Sequence, residues 1–344
     1  MKALQVTKHA APEQALEIRD VDRPDPGPGQ VRVCVEAASL NFNDIDRCHG
    51  RRVTYLPPLP FTLGMDVCGT VDAAGAGAEG WLGRRVVALT QMAHGGLAEY
   101  ALAPADGVFD APAEASAAEA ATFLIPYHTM HLGLYRRGRL VAGESLLVHA
   151  GASGLGMAAI QLGVARGARV FATAGGEEKM RLCRELGAEL AIDSREDDFT
   201  ARVLEATAER GVDVVCDLVA GPFTAKSWAC TAREGRYLAA GFSEDPENGQ
   251  TGVPLRPICT ANIEIVGVML GWVGALPPAL RRAGFNPFPR DVGEAVHEDL
   301  LRLWGEKRIR PLLSRTVALD EAAAALADHE ARRTTGRTAV VIGS

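Results

Sequence analysis

The stretch of residues 144–173 constrains the possible fold more than any other part of the sequence. It begins with a short apolar run, continues through a turn that contains Gly151, Gly154 and Gly156, and then shows apolar residues at helical spacing. A second short apolar run closes the stretch. This pattern predicts a strand, a glycine-rich turn, a helix and a second strand. A chain organised around such a unit is expected to contain a parallel sheet with helices on both faces.

The glycine-rich turn suits the binding of a phosphate group. Because glycines carry no side chain, the backbone can lie directly against a pyrophosphate while the amides at the start of the helix point toward the anion. Ser153, Gly154, Leu155 and Gly156 are therefore candidate contacts for a dinucleotide. The spacing departs from the simplest dinucleotide fingerprint, and a helix packed closely on a sheet without a ligand is the alternative. The flanking strands and helix favour the dinucleotide site.

Composition and charge exclude several classes of protein. The chain has 344 residues, 47% of them hydrophobic, which suits two domains of roughly 150 residues each. No apolar run reaches the roughly 18 residues that a membrane helix needs, and residues 1–6 are interpreted as a strand rather than a signal peptide. A net charge of -7 argues against a nucleic-acid partner. The seven cysteines are scattered without zinc or disulfide spacing, which predicts a cytoplasmic protein.

The chain divides into three regions by pattern. Residues 1–123 show short alternating strands separated by proline and glycine, which predicts a barrel-like β domain. Residues 124–271 alternate strand and helix patterns, and residues 272–344 return to the β domain with a helix over 320–329 that Asp320 is expected to cap. The sequence therefore predicts an α/β fold in which a doubly wound parallel sheet of the Rossmann type is inserted into a β domain, with a cleft between the two.

Several short segments, agreeing in order and spacing, are more specific than the glycine turn alone. Besides that turn, they are Asn41-Phe42-Asn43-Asp44, Gly64-Met65-Asp66-Val67-Cys68-Gly69-Thr70-Val71, Gly95-Gly96-Leu97-Ala98-Glu99-Tyr100, Ile125-Pro126-Tyr127-His128-Thr129, Thr173-Ala174-Gly175-Gly176-Glu177-Glu178-Lys179, Gly187-Ala188-Glu189 and Arg332-Arg333-Thr334-Thr335-Gly336. On these segments the chain resembles, over nearly its full length, the zinc-independent quinone oxidoreductase branch of the medium-chain dehydrogenase/reductase superfamily, which includes the zeta-crystallin type of NADPH:quinone reductase. The resemblance implies a GroES-like β domain with the catalytic groups and a Rossmann domain that binds NADP(H).

The residues at the family's metal positions argue against zinc. Zinc enzymes of the superfamily supply a cysteine near the segment 41–44 and a histidine within Gly-His-Glu, whereas this chain has no cysteine in the first segment and reads Gly64-Met65-Asp66 in the second. A methionine thioether cannot replace the imidazole in a tetrahedral zinc site. We therefore expect no metal.

The end of the second strand bears on the choice between NADPH and NADH. NAD sites place an acidic residue there, but this strand ends Thr173-Ala174-Gly175-Gly176. By the resemblance, Thr173 belongs to the cofactor site and Lys179 and Arg332 fall on cofactor positions, with a solvated helix lysine and a surface arginine as the alternatives. The resemblance thus implies NADP(H).

Two features of the same region depart from the family. Gly176 and Ser194 stand where relatives often have a serine or threonine and a tyrosine for the 2′-phosphate, so one hydroxyl is lost and the other is exchanged. Glu177 and Glu178 add negative charge nearby. Ser194 remains a candidate contact.

Further site residues come from the resemblance alone. Thr129 would contact the nicotinamide carboxamide, and Gly241 and Phe242 would line its ring, although Thr129 as an ordinary helix residue and Phe242 as a packing residue remain open. Asn41 would donate a catalytic hydrogen bond and Tyr55 would line the acceptor pocket, and the alternatives are a turn residue and a loop aromatic.

These observations predict hydride transfer from NADPH to a quinone or an α,β-unsaturated carbonyl without zinc. An enoyl-thioester or alkenal reductase on the same scaffold is the nearest alternative, and a non-catalytic NADPH-binding protein is another. The apolar segment 263–268 is expected to be an edge strand that pairs with a second copy in a homodimer.

Overall fold

The computed structural model describes residues 1–51, 55–195, 198–243 and 255–342. These residues group into two compact units. The first unit contains Met1–Ile125, Gly271–Glu298 and Pro311–Ser344, and the second contains Pro126–Leu270 and Asp299–Arg310. Within the described ranges, the structure has no helix that is long and apolar enough to cross a membrane.

The strands follow the predicted succession of a β region, an alternating region and a return. In chain order they are β1 (Lys2–Val6), β2 (Leu16–Asp20), β3 (Gln30–Ser39), β4 (Phe61–Thr62), β5 (Asp66–Ala74), β6 (Arg85–Leu89), β7 (Tyr100–Pro104), β8 (Val108–Asp110), β9 (Ser145–Val148), β10 (Arg169–Ala174), β11 (Leu190–Asp193), β12 (Val212–Asp217), β13 (Thr231–Ala239), β14 (Glu264–Gly267), β15 (Trp272–Val273), β16 (Phe288–Pro289), β17 (Leu313–Ala318) and β18 (Arg337–Val341).

Among the described residues, six of the twelve α-helices lie in the alternating region and six lie outside it. They are α1 (Pro12–Ala15), α2 (Phe42–Cys48), α3 (Ala117–Ala121), α4 (Leu124–His131), α5 (Gly154–Arg166), α6 (Glu177–Glu185), α7 (Phe199–Ala206), α8 (Pro222–Ala229), α9 (Leu255–Ala261), α10 (Pro278–Arg282), α11 (Arg290–Gly305) and α12 (Ala322–Glu330). A π-helical turn at Leu132–Arg137 continues α4.

The first unit is built on two β-sheets of three or more strands, and β15 and β16 form a separate two-stranded sheet. The larger has the strand order β17-β18-β3-β5-β6-β8 with β7 paired to β3, and the smaller has the order β2-β1-β4. In β3 the side chains of Val31, Val33 and Val35 are at most 3% exposed, as the alternating pattern predicts. Burial of this face holds β3 at the centre of the larger sheet and fixes its register with β5.

The second unit contains a parallel sheet with the strand order β11-β10-β9-β12-β13-β14. Numbered along the chain from β9, this is the order of a Rossmann sheet, which confirms the predicted fold class. The sheet core includes Leu147, Phe171 and Val215, each fully buried. Because all neighbouring strands run in the same direction, the carboxyl ends of the strands meet at one edge of the sheet.

Two local features differ from the sequence analysis. Asp320 does not cap the helix near residue 320, and that prediction is wrong: Asp320 lies in a 3₁₀ turn, the helix begins at Ala322, and the carboxylate of Glu321 accepts the backbone amide of Ala318 at 2.9 Å. The segment 299–310, which we had assigned to the β domain, groups with the second unit.

Candidate functional site

The glycine-rich turn joins β9 to α5 at the carboxyl edge of the parallel sheet. The backbone amide of Gly151 donates to the carbonyl of Thr173 at 2.8 Å, which ties the turn to the end of β10. Ser153 is the N-cap of α5, and its hydroxyl oxygen accepts the amide of Gly156 at 3.1 Å. The amides of the next residues, Gly154 and Leu155, belong to the first turn of the helix and have no acceptor within it.

Close packing of the turn explains the glycines. A Cβ on Gly156 would lie 2.2 Å from the carbonyl oxygen of Ala150, and a Cβ on Gly151 would lie 2.8 Å from Sγ of Cys183. The backbone at Ala150 is itself left-handed, with φ of 51°. The turn is therefore a cradle without side chains at the positive end of a 13-residue helix. These features fit the pyrophosphate of a dinucleotide.

The turn after β10 is held by a carboxylate and covered by an arginine. The amide of Gly176 donates to both carboxylate oxygens of Asp193 at 3.2 Å. Nε of Arg195 lies 2.8 Å from the position that a Cβ on Gly175 would occupy. The guanidinium of Arg195 therefore occupies the space that the two glycines leave open. Arg195 was not among the residues predicted from the sequence, although a basic residue just after the third strand of such a sheet was a usable signal.

The charges around this turn are partly neutralised by local pairs. Glu177, at the first position of α6, forms a salt bridge with Arg184 on the same helix. Lys179 lies half-buried two residues further along α6. Ser194 is half-buried as well, and its amide donates to the carbonyl of Ala174 at 3.0 Å. The turn therefore presents two cations, Lys179 and Arg195, while one of its acidic residues is paired.

A buried histidine orders the end of β9. His149 is fully buried, with Nδ1 at 3.0 Å from Oγ1 of Thr173 and Nε2 at 2.8 Å from Oγ of Ser227. Because Ser227 gives its hydroxyl hydrogen to the carbonyl of Phe223, Nε2 of His149 is the donor and Nδ1 accepts from Thr173. Burial lowers the pKa of His149 to about 4, so the ring is neutral near pH 7. The hydroxyl of Thr173, a predicted cofactor contact, thus helps to hold the turn.

The remaining predicted cofactor residues lie in different parts of the two units. Thr129 is 7% exposed and lies on α4. Gly241 follows β13, and a Cβ there would lie 2.6 Å from the carbonyl oxygen of Leu218; Phe242 beside it is 50% exposed. Arg332 belongs to the first unit, is exposed, and has a left-handed backbone with φ of 57°. Their cofactor roles remain predictions.

A buried polar cluster occupies the first unit around the start of α2. Nδ2 of Asn41 donates to Oδ1 of Asp66 at 3.0 Å and to Oγ of Ser39 at 3.1 Å. Nη2 of Arg337 donates to Ser39 at 2.7 Å and to Oδ1 of Asn41 at 3.0 Å. Asp44 completes the cluster by accepting the amide of Asn41 at 2.9 Å. The amide hydrogens of Asn41, the predicted catalytic donor, are therefore directed at its own neighbours.

Desolvation dominates the electrostatics of this cluster. Burial raises the pKa of Asp66 to about 6, while the nearby charge of Arg337 acts in the opposite direction. Burial likewise raises the pKa of Asp44. Asp66 stands where the superfamily's zinc enzymes have the glutamate of Gly-His-Glu, and in this chain it bonds to Ser39 and Asn41.

The other predicted catalytic residue, Tyr55, is 38% exposed in the first unit and stacks on His94, with ring centroids 6.1 Å apart and planes at 28°. The described residues contain no group of three or more histidine, cysteine or acidic side chains placed to hold a metal ion.

Two family models match the chain. The alcohol dehydrogenase GroES-like domain matches residues 27–113, and the zinc-binding dehydrogenase model matches residues 154–283. The first covers the β region from residue 27 onward, including Ser39, Asn41, Asp44 and Asp66 of the polar cluster, and the second covers the parallel sheet from Gly154 onward.

Known proteins of two kinds are similar to this chain. Quinone oxidoreductase of Lama guanicoe is 32% identical, covering 87% of this chain and 93% of that protein. A mycocerosic acid synthase-like polyketide synthase of Mycobacterium tuberculosis is 34% identical over 82% of this chain, but the chain spans only 13% of the synthase. Among solved structures, Escherichia coli quinone oxidoreductase complexed with NADPH has a TM-score of 0.86 at 26% identity, with 99% of this chain and 100% of that chain covered.

Proposed function

The chain belongs to the zinc-independent quinone oxidoreductase branch of the medium-chain dehydrogenase/reductase superfamily, and from that membership we propose that it reduces a quinone or an α,β-unsaturated carbonyl with NADPH. The observation that carries the proposal is the cradle at Gly151 and Gly156, where a side chain would collide with the backbone or with Cys183. When bound, the reduced nicotinamide supplies the hydride.

The cations at the turn after β10 support NADPH rather than NADH. No acidic residue ends β10, and the carboxylate of Asp193, which ends β11, is directed to the amide of Gly176. Lys179 and Arg195 are then placed to bind the 2′-phosphate, because a phosphate dianion is stabilised by charge-assisted hydrogen bonds. In this proposal Arg195 compensates for the hydroxyl group that the turn lacks at Gly176.

The preference for NADPH is testable through single substitutions. We expect Arg195→Gln and Lys179→Ala each to raise the NADPH Michaelis constant roughly tenfold, since each removes a hydrogen bond to a charged group, and to leave that for NADH nearly unchanged. Initial rates with both nucleotides measure this. Arg181→Gln, an exposed residue of α6 paired with Glu185, is the matched control. A wild-type preference for NADH, with no effect of either substitution, would refute the phosphate assignment.

The similar proteins point to two chemical classes of hydride acceptor. The similarity to quinone oxidoreductases favours quinones and enones, whereas the similarity to part of a polyketide synthase favours an enoyl thioester. Wild-type rates with 1,4-quinones, alkenals and enoyl thioesters decide between them. Tight NADPH binding without turnover of any acceptor would instead support a non-catalytic NADPH-binding protein.

The sheet of the second unit offers a surface for a homodimer. The strand β14 stands at one end of the strand order, with Ile265 41% exposed, although Arg137 already donates to the carbonyl of Gly267 at 3.1 Å. We propose that β14 pairs with β14 of a second copy. Ile265→Lys is then expected to shift the protein to monomers in light scattering, while Val164→Lys, exposed on α5 away from this edge, leaves the mass unchanged. A wild-type monomer would exclude the pairing.

We also propose a cytoplasmic location, because all seven cysteines are free thiols.

A further inference from the structure

Arg47 carries a buried charge, and two of its three side-chain nitrogens lack a hydrogen-bond partner among the described residues. Its side chain lies on α2 in the first unit and is only 2% exposed. Among the described residues, Nε and Nη1 have no hydrogen-bond partner. Burial lowers the pKa of Arg47, yet a guanidinium remains protonated near neutral pH. Unpaired donors on a buried ion are costly, so Nε and Nη1 call for an oxygen atom that the described residues do not provide.

The acidic residues of the same helix are directed to other groups. Asp46 forms an ion pair with Arg51 at 3.1 Å, and Asp44 accepts the amide of Asn41 at 2.9 Å. Within the described part of the chain, no carboxylate oxygen lies within 4.0 Å of the Arg47 guanidinium. The negative charges of Asp44 and Asp46 therefore favour the protonated form of Arg47, but their carboxylates accept no hydrogen bond from its Nε or Nη1.

The charge of Arg47 acts on an aromatic surface formed by His94, Tyr55 and Phe61. His94 stacks with Tyr55 and meets Phe61 edge-on, with ring centroids 6.1 Å and 6.4 Å apart. Burial lowers the pKa of His94, and the positive charge of Arg47 lowers it further, which keeps the imidazole neutral. Tyr55 remains 38% exposed, so a ligand can reach its ring. A neutral aromatic surface beside a cation suits a flat, conjugated molecule that ends in an oxygen.

We propose that Arg47 binds the carbonyl oxygen of the acceptor and stabilises the negative charge that hydride addition places on it, while the conjugated system packs against Tyr55 and His94. This inference rests on the proposed function. The hydride brings two electrons to the carbon conjugated with the carbonyl, the π electrons move onto the oxygen, and the nicotinamide is oxidised. A proton from water completes the product, and Arg47 stays protonated throughout. Arg47 thus performs the task that the sequence analysis assigned to Asn41.

Kinetics of two arginine variants test this role. We expect Arg47→Met to lower kcat about 100-fold, the size typical of a lost oxyanion donor, while the dissociation constant for NADPH stays within twofold. Arg47→Lys keeps the charge but not the fork of donors, and is expected to fall between wild type and Arg47→Met. Arg51→Gln, an arginine four residues away, is the control and should retain wild-type rates. Equal rates for Arg47→Met and Arg51→Gln would overturn the proposal.

A binding measurement separates this inference from the proposed function. The anion of 4-nitrophenol resembles a reduced quinone and is followed by its absorbance without any turnover. We expect wild type to lower the pKa of bound 4-nitrophenol by at least one unit, and Arg47→Met to abolish that shift. If the shift appears in wild type but no acceptor is reduced, the proposed function fails and the binding role of Arg47 stands. If acceptors are reduced and no shift is seen, the role of Arg47 fails alone.

Discussion

A Gly156→Val variant is expected to lose NADPH binding completely. Any Cβ at this position would lie 2.2 Å from the carbonyl oxygen of Ala150 and 2.8 Å from Cα of Gly151, so the first turn of α5 would have to move away from β9. The amides and the dipole that we assign to the pyrophosphate would move with it. In a thermal shift assay at 100 times its dissociation constant, NADPH should stabilise the wild type by about 2.7 kcal/mol and the variant not at all.

A second glycine in the same unit provides the control for this experiment. Gly305 has no atom within 4 Å of the position of an added Cβ, so Gly305→Ala should keep the full NADPH shift. If Gly156→Val folds and is still stabilised by NADPH as strongly as the wild type, the dinucleotide does not lie on this turn.

The cradle was predictable because its cause is local. A strand, three glycines and a helix within a short stretch already determine that the backbone turns tightly, and the parallel sheet then places the turn at the carboxyl edge. The polar cluster was not predictable in the same way. Its central contact joins Ser39 to Arg337 across 298 residues of chain, and no pattern in either segment indicates the other. Only the pairing of β18 with β3 brings the two side chains together.

Arg47 and Arg195 show a second limit of the sequence. Residues 42–48 form α2, and each step along a helix rotates the side chain by about 100°. Without the helix there was no basis for deciding whether Arg47 is buried or exposed. Arg195 depended in a similar way on where β11 ends relative to the turn at Gly175. In both cases the residue type is evident from the sequence, whereas the direction of the side chain is not.

Arg337→Leu is expected to destabilise the first unit by about 3–5 kcal/mol, the usual cost of removing one partner from a buried charged network. The substitution leaves Ser39 and Asn41 without their bonds to Nη2 and removes the positive charge that favours ionised Asp66. Denaturant unfolding at pH 7 measures the loss. Arg315→Leu is the control. It removes an exposed ion pair between Arg315 on neighbouring β17 and Asp328 on α12, and should cost less than about 1 kcal/mol.

The pH dependence identifies Asp66 as the cause of that loss. With its pKa raised to about 6 in the folded protein from 3.8, folded Asp66 keeps its proton to higher pH than unfolded Asp66. Its contribution to stability is therefore largest below pH 4 and falls, by about 3 kcal/mol in all, as the pH rises through 6. Because the charge of Arg337 lowers the pKa of folded Asp66, removing Arg337 moves the pH range over which this stability is lost to higher pH. Arg337→Leu should therefore reduce the free energy of unfolding more at pH 8 than at pH 5. Adding Asp66→Asn should reduce this difference to the part that comes from Asp44 and His329, whose pKa values the charge of Arg337 also lowers. A cost independent of pH would mean that Arg337 acts only through its hydrogen bonds.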